Sequence, residues 1–355
     1  MGNATKPILT VSDLWVTFPA YRREPVRALK GIDLRIDAGE FIGLVGESGA
    51  GKTTLARAIM GLVPPPGVIE RGQVLLDGRD LSLLDDRARR AVLGRELAMV
   101  IANPRAELNP VIPVGRQIAN IAYYHLGIGR AESDRLALEI LRAVRIPDPE
   151  HRFGAYAHEL SGGMAQRVAI AMALICSPKL VISDDATSGL DVTVQAQVLE
   201  LLQRLVAEKR AAALFITRDI AITAHFCSRI AIIYAGQIVE LAETAAFFRR
   251  PAHPYSIMLL AAFSHSPELR ARWTRVPGTG QTAPAGGCAF ASLGVRGSQA
   301  GGSCGSTRLL IISARWATPS SARKQERGTA SCIRSSVTHV AAALSSEPRS
   351  PGEYQ

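Results

Sequence analysis

The sequence predicts an α/β fold with a largely parallel core sheet covered by helices on both faces. Short continuous apolar runs recur between residues 8 and 263: FIGLV (Phe41–Val45), LAMVI (Leu97–Ile101), LVIS (Leu180–Ser183), ALFIT (Ala213–Thr217) and IAIIY (Ile230–Tyr234). Strands that are apolar at every position are buried on both faces, as parallel strands are. Helical stretches separate these runs. TTLARAIMGLV follows the first, DRLALEILRAV spans Asp134–Val144, and Val194, Val198, Leu201, Leu202 and Leu205 recur at helical spacing. Strand–helix alternation of this kind implies a doubly covered sheet. A chain of 355 residues, 47% hydrophobic and 20% charged, supports one large globular domain with something smaller attached.

The first run leads directly into GESGAGKT, Gly46 to Thr53, which fits G-x-x-x-x-G-K-[ST]. Such a loop turns successive backbone N–H groups into one concavity that wraps phosphates. Gly46, Gly49 and Gly51 permit the backbone angles and the close approach. Glu47, Ser48 and Ala50 complete the loop, and Lys52 reaches the β- and γ-phosphates. The Thr53 hydroxyl ligates Mg²⁺, and the helix continuing through Thr54 adds its positive end. A glycine turn before a surface helix is the plain alternative, and the preceding apolar strand counts against it. Alone, the loop implies only a nucleotide, with Mg²⁺.

Further along, Asp184 ends an apolar strand and is followed by Asp185 and Ala186. LSGGM occupies Leu160–Met164, and SGLD follows at Ser188–Asp191. The order of loop, LSGGM, acidic strand end and SGLD resembles the ATP-binding subunits of ABC transporters. That resemblance implies an ABC-type P-loop NTPase fold over residues 7–263, with an N-terminal β-subdomain. It also implies an inserted helical subdomain, about 104–172, that carries the signature and docks on membrane subunits. In the family, Asp184 holds Mg²⁺ through water. Ser161, Gly162, Gly163 and Met164 present a capped helix end to a phosphate, and Asp191 belongs to the same nucleotide interface. Adenine stacks on an aromatic residue near the first strands. Phe18 is the first candidate and Tyr21 the second.

Three positions depart from the family's pattern. Asp185 stands where a catalytic Glu is usual, Ala102 where a Gln is usual, and Arg218 where a His is usual. The Asp carboxylate is one methylene shorter, and general-base contributions are worth about 10²–10⁴ in rate. Arg218 stays protonated and cannot act as a neutral imidazole. Family members work as head-to-tail dimers whose sites combine one subunit's P-loop with the other's signature. All three departures fall on the P-loop side, while Ser161–Met164 is intact. A heterodimer with a second, different ABC ATPase, pairing a degenerate site with a competent one, explains this sorting.

LNPVIPVGRQI, the SGGM signature and PAHPYSIMLLAAF (Pro251–Phe263) are similar to the dipeptide/oligopeptide/nickel importers. The resemblance implies two membrane permease subunits, an extracytoplasmic solute-binding protein reached through the complex, and a peripheral place on the cytoplasmic face of the membrane. Two other readings stand beside it. One is an ATP-binding structural or regulatory subunit with negligible hydrolysis. The other is a soluble, non-transport ABC protein, which usually carries two ATPase domains or a long coiled-coil insertion.

The net charge of +10 does not argue for nucleic acid. Residues 291–355 carry eight Lys/Arg against three Asp/Glu, and the rest has no basic run that tracks phosphates. Anionic lipid headgroups or plain solvation use that charge better. No apolar run approaches the ~18 residues of a membrane span, and the start has no secretory signal pattern. Cys176 and Cys227 sit in apolar surroundings and read as buried thiols.

Residues 264–290 continue the importer pattern through GGCAF (Gly286–Phe290), where the family leads into a closely spaced cysteine set that in some members holds an iron–sulfur cluster. Here only Cys288 is in place, and Cys304 and Cys332 are too widely spaced. No cluster is expected. Residues 291–355, with 13 serines and no periodicity, read as a low-complexity tail. Lys makes up only six of 41 basic residues, a sign of a GC-rich gene that sustains long alternative frames. The tail is either a frameshifted translation or a natural, divergent end. Translating the coding DNA in every frame near codon 291 should recover a cysteine-rich continuation. If no frame does, the tail is natural.

Overall fold

The computed structural model describes residues 6–20, 24–187 and 189–263; Tyr21 and everything from residue 264 onward, including GGCAF and the tail, lie outside them. The chain opens with two long strands, β1 (Pro7–Phe18) and β2 (Val26–Asp37), in which buried and exposed positions largely alternate. Then comes β3 (Phe41–Val45), buried at every position, and α1 (Lys52–Ile59). β4 (Val68–Leu76) and the short β5 (Arg79–Asp80) return to the first strands. β2, β1, β4 and β5 form an antiparallel sheet in that order. Its half-polar strands gave no continuous apolar run.

α2 (Asp86–Val92), capped by Asp85, leads to β6 (Leu97–Val100). The chain then turns helical: α3 (Pro104–Glu107), α4 (Val114–Leu126), α5 (Arg130–Ala143), α6 (Pro149–Phe153) and α7 (Gly162–Leu174). Gly115 on α4 leaves no room for a side chain, because a Cβ there would lie 2.2 Å from the Phe153 ring. The α4–α5 pair is also joined by Arg116, whose Nη1 donates to Asp134 at 2.7 Å. Strand and helix alternate again in β7 (Leu180–Asp184), α8 (Val192–Glu208), β8 (Ala212–Thr217), α9 (Ile220–Phe226) and β9 (Arg229–Tyr234). β10 (Gln237–Glu243), α10 (Thr244–Arg249) and α11 (Pro254–Phe263) complete the described chain.

The core sheet runs β10-β9-β3-β8-β7-β6, parallel except for the β10 hairpin on β9. All five apolar runs are strands of this sheet, and the helical stretches are α1, α5 and α8. One apolar layer packs α7, α8 and the helical insert against Val181, Ala213 and Phe215. A second lies between the two sheets around α1, with Leu44, Ile182 and Leu214. A third covers β9 with α9, α10 and α11. Fully burying a Phe or Leu side chain is worth about 1.5–3 kcal/mol, so the two-sided burial of β3, β7 and β8 holds these strands firmly. Cys176 and Cys227 are buried free thiols, and burial raises the Cys176 thiol to about 11.

α11 has an unusual start. His253 precedes it and its Nδ1 accepts the Tyr255 backbone N–H at 3.1 Å, while Pro254 takes the first helical position, where a missing N–H costs nothing. Burial holds the His253 imidazole down at about 4, against 6.5 when unburied. Between those values the unfolded chain takes up the proton and the folded chain does not. Stability therefore falls as pH drops from 6.5 towards 4. His253→Asn keeps an acceptor for the Tyr255 N–H and removes the titration. Its thermal midpoint should fall less than the wild type's over that interval, and equal acid sensitivity would contradict the assignment.

Candidate functional site

Parallel register sets the site. Val45 pairs with Thr217 and Ile232, and Asp184 pairs with Ile216. The carboxyl ends of β3, β7, β8 and β9 therefore share one edge, which is where α/β sheets bind ligands.

The loop from Gly46 to Thr53 springs from β3 at that edge. Gly46 is pressed against the next strand, since a Cβ there would lie 2.3 Å from the Ile233 carbonyl oxygen. Gly49 and Gly51 adopt φ of 81° and 108°, open to glycine and strained for other residues. Ala50 N donates to Glu47 O at 3.2 Å to close the turn. Gly236, in the β9–β10 turn, braces the loop by donating to Ala50 O at 3.0 Å while accepting from Lys30 N at 2.8 Å. An Ala-Gly pair signals a turn in the sequence; its contact with the loop is tertiary. Ser48, Gly49 and Thr53 are exposed, and Thr54 is half-buried on α1.

Lys52 is buried and curls over the loop, its Nζ donating to Gly46 O and Glu47 O, each at 2.7 Å. Burial lowers its pKa and Arg218 lowers it further, while Asp185, Asp184 and Glu47 oppose that. Asp184, 8% exposed, is raised mainly by burial and also by Asp185; the Thr53 hydroxyl bonded to its carboxylate pulls the other way. Thr53 and Asp184 thus bring a hydroxyl and a carboxylate oxygen together. Two hard oxygens, with phosphate and water supplying the rest, are the donor set Mg²⁺ takes.

Next to Asp184 the backbone turns sharply. Asp185 has φ of 50°, left-handed for a non-glycine residue, while its N–H still reaches Ile216 O at 2.9 Å. Its carboxylate is engaged: Arg218 Nη2 lies 2.9 Å from Asp185 Oδ2. Ala102, just past β6, is half-buried. Its neighbour Ile101 offers a carbonyl that Gln166 Nε2, on α7, approaches at 3.4 Å.

The signature forms the start of α7. Ser161 Oγ accepts the Met164 N–H at 3.2 Å, which leaves the other first-turn N–H groups pointing off the helix end. Arg105 holds the Leu160 carbonyl. Gly163 sits close against α8, where a Cβ would lie 2.9 Å from Val194. Asp191 caps α8, its carboxylate accepting the Val194 N–H at 3.0 Å. Phe18 ends β1 half-buried, its ring packed on Gly67 and the second apolar layer. The loop, Asp184, Asp185 and Arg218 thus share one edge, while the signature lies at the start of another element.

Residues 29–188 match the ABC transporter family, and residues 239–293 match the oligopeptide/dipeptide transporter C-terminal region. The oligopeptide transport ATP-binding protein OppD of Bacillus subtilis is 42% identical over 292 residues, which cover 80% of this chain and 80% of that protein. The dipeptide transport ATP-binding protein DppD of Escherichia coli is 41% identical over 271 residues, covering 76% and 83%. Among solved structures, the dimeric ATP-binding cassette MJ0796 bound to ADP and Pi superposes with a TM-score of 0.60 at 25% identity. It covers 66% of this chain and 98% of that one. The chain belongs to the ABC transporter family, in the branch of the oligopeptide and dipeptide transporter ATP-binding subunits.

Proposed function

We propose that this ABC-type ATPase energises import of dipeptides or oligopeptides, head-to-tail with a second, different ATPase, and that its own phosphate-loop site is degenerate. The relatives named above act in peptide transport, and the cassette of known structure is dimeric. The observation that carries the degenerate site is the Arg218–Asp185 ion pair at 2.9 Å. A permanent cation holds the carboxylate that occupies the base position, and Ala102 has no side-chain group to order water. The Ser161 cap, by contrast, leaves α7 fit to face a partner's phosphate.

In this reading the loop N–H groups and Lys52 bind the phosphates, Lys52 exchanging the Gly46 and Glu47 carbonyls for phosphate oxygens. Thr53 and Asp184 would hold Mg²⁺, whose charge neutralises the phosphates. Phe18 stacks on the adenine, for which its half-buried position at the end of β1 is suited. Dimer closure moves the helical insert against two membrane permease subunits, and a solute-binding protein delivers the peptide from the far side. Exposed apolar groups on that insert, Val111 at 78% and Tyr124 at 73%, favour such docking. Among the described residues no helix is long and apolar enough to cross a membrane.

The purified chain should bind Mg-ATP yet turn it over well below about 1 s⁻¹, the low end of ordinary enzyme rates. Lys52→Ala should abolish binding in a fluorescent-nucleotide titration. Turnover by the isolated chain at ordinary rates would remove the degenerate site from this reading.

In the reconstituted transporter, Ser161→Arg should stop ATP hydrolysis, because the added side chain blocks the helix end that faces the partner's nucleotide. Asp185→Glu should change the total rate far less, since it can add only a second site. If Ser161→Arg left activity unchanged, the signature would not serve a catalytic site and the asymmetric dimer would be wrong.

A further inference from the structure

The end of α5, in the helical insert, offers two backbone carbonyls to other parts of the molecule. Its last turn closes on itself: Val144 N donates to Ile140 O at 2.9 Å, Arg145 N to Arg142 O at 2.9 Å and Ile146 N to Leu141 O at 3.0 Å. Arg145 takes the left-handed position of that closure, with φ of 58°, where glycine is usual. The Ala143 and Arg145 carbonyls are taken instead by guanidinium groups. Arg204 Nη2, on α8, donates to Ala143 O at 3.1 Å, and Arg167 Nη1, on α7, donates to Arg145 O at 2.8 Å. Cations beside the carbonyls of a helix end are favoured by the helix dipole.

Arg167 does more than cap. Its Nη2 donates to Gln197 Oε1 on α8 at 3.3 Å, so one planar group joins α7, α8 and the end of α5. Gly163 lets the start of α7 lie close against Val194, and one turn further along both helices Arg167 meets Gln197. The preceding residue, Gln166, is buried and approaches the Ile101 carbonyl past β6. Successive residues thus pin α7 to different elements. A lysine has a single ammonium in place of the fork and cannot hold both oxygens in that geometry. We propose that Arg167 is a positioning residue for the nucleotide site that this chain's signature completes on its partner: by locking α7 to α8 and to the end of α5, it sets the direction in which the Ser161 end points. This rests on the head-to-tail reading above. The acceptors of Arg167 lie on α8 and beyond α5, apart from this chain's own phosphate loop.

The test uses the reconstituted transporter, with Arg167→Ala, Arg167→Lys and Gln197→Ala in this chain and Ser161→Arg as the reference. Arg167→Ala should lower kcat for ATP hydrolysis about 10-fold, the scale of one hydrogen bond from a charged group. KM for Mg-ATP should stay unchanged, because the aim of α7 matters only once the signature meets the partner's bound nucleotide. Arg167→Lys should not restore kcat, and adding Gln197→Ala to Arg167→Ala should bring no further loss. Mg-ATP affinity of the isolated full chain, read by fluorescent-nucleotide titration, should be equal in wild type and Arg167→Ala; a general loosening of the fold would lower it. Wild-type kcat in Arg167→Ala, full rescue by lysine, or a matching loss of the isolated chain's affinity would overturn the inference alone. If Ser161→Arg itself left hydrolysis unchanged, the head-to-tail reading would fall and this inference with it. Should Arg167→Ala fail to fold, Gln197→Ala, at an exposed position, carries the test: its kcat must fall about 3-fold, and an unchanged kcat refutes the positioning role.

Discussion

The register of the core sheet is the constraint on which the site depends. Because Val45 lies beside Thr217 and Ile232, and Asp184 beside Ile216, the chain leaves four strands at one level. A one-residue slip would turn every side chain of a strand to the opposite face. Such slips are resisted by burial on both sides, since β3, β7 and β8 have no solvent face to offer. The backbone ladder thus places Lys52, Asp184, Asp185 and Arg218 together, although they span 166 positions of sequence.

Charge at that edge is held in partly buried surroundings. Burial makes the cationic form of Lys52 and the anionic form of Asp184 more costly, and each is relieved by neighbours of opposite sign or by a hydroxyl. Asp185 and Arg218 form a pair of their own, more exposed than Lys52 or Asp184. Their pairing joins two positions that are 33 residues apart in sequence. A carboxylate facing a guanidinium is electrostatically satisfied as it stands, which a carboxylate waiting for water is not.

Packing explains why the importer-type C-terminal segment follows directly on the ATPase core. The third apolar layer covers the outer face of β9, and α11 supplies Tyr255 and Met258 to it. Glu240 is buried because two backbone N–H groups satisfy its carboxylate; without them its burial would be costly. The Pro251–Tyr255 stretch therefore makes structural sense residue by residue: a turn held by Glu240, a capping His253, Pro254 at the first helical position and an inward Tyr255.

The sequence by itself determined the fold class, the five core strands, the phosphate loop and the family, because these rest on local chemistry. Apolar runs, glycine spacing and a capped helix start are legible without neighbours. It also singled out Asp185, Ala102 and Arg218 for comparison with the family's motifs, since each can be read at a single position. What only the tertiary structure decided were contacts between distant segments. The antiparallel sheet of β1, β2 and β4 was poorly legible because its half-polar strands lack the continuous apolar signal. That Asp185 and Arg218 meet, that Gly236 braces Ala50, that Asp191 spends its carboxylate on capping α8 and that Glu240 holds the Ala252 and His253 N–H groups depend on strand order and register. Those are set by how buried faces pack together, and no single stretch of chain encodes them.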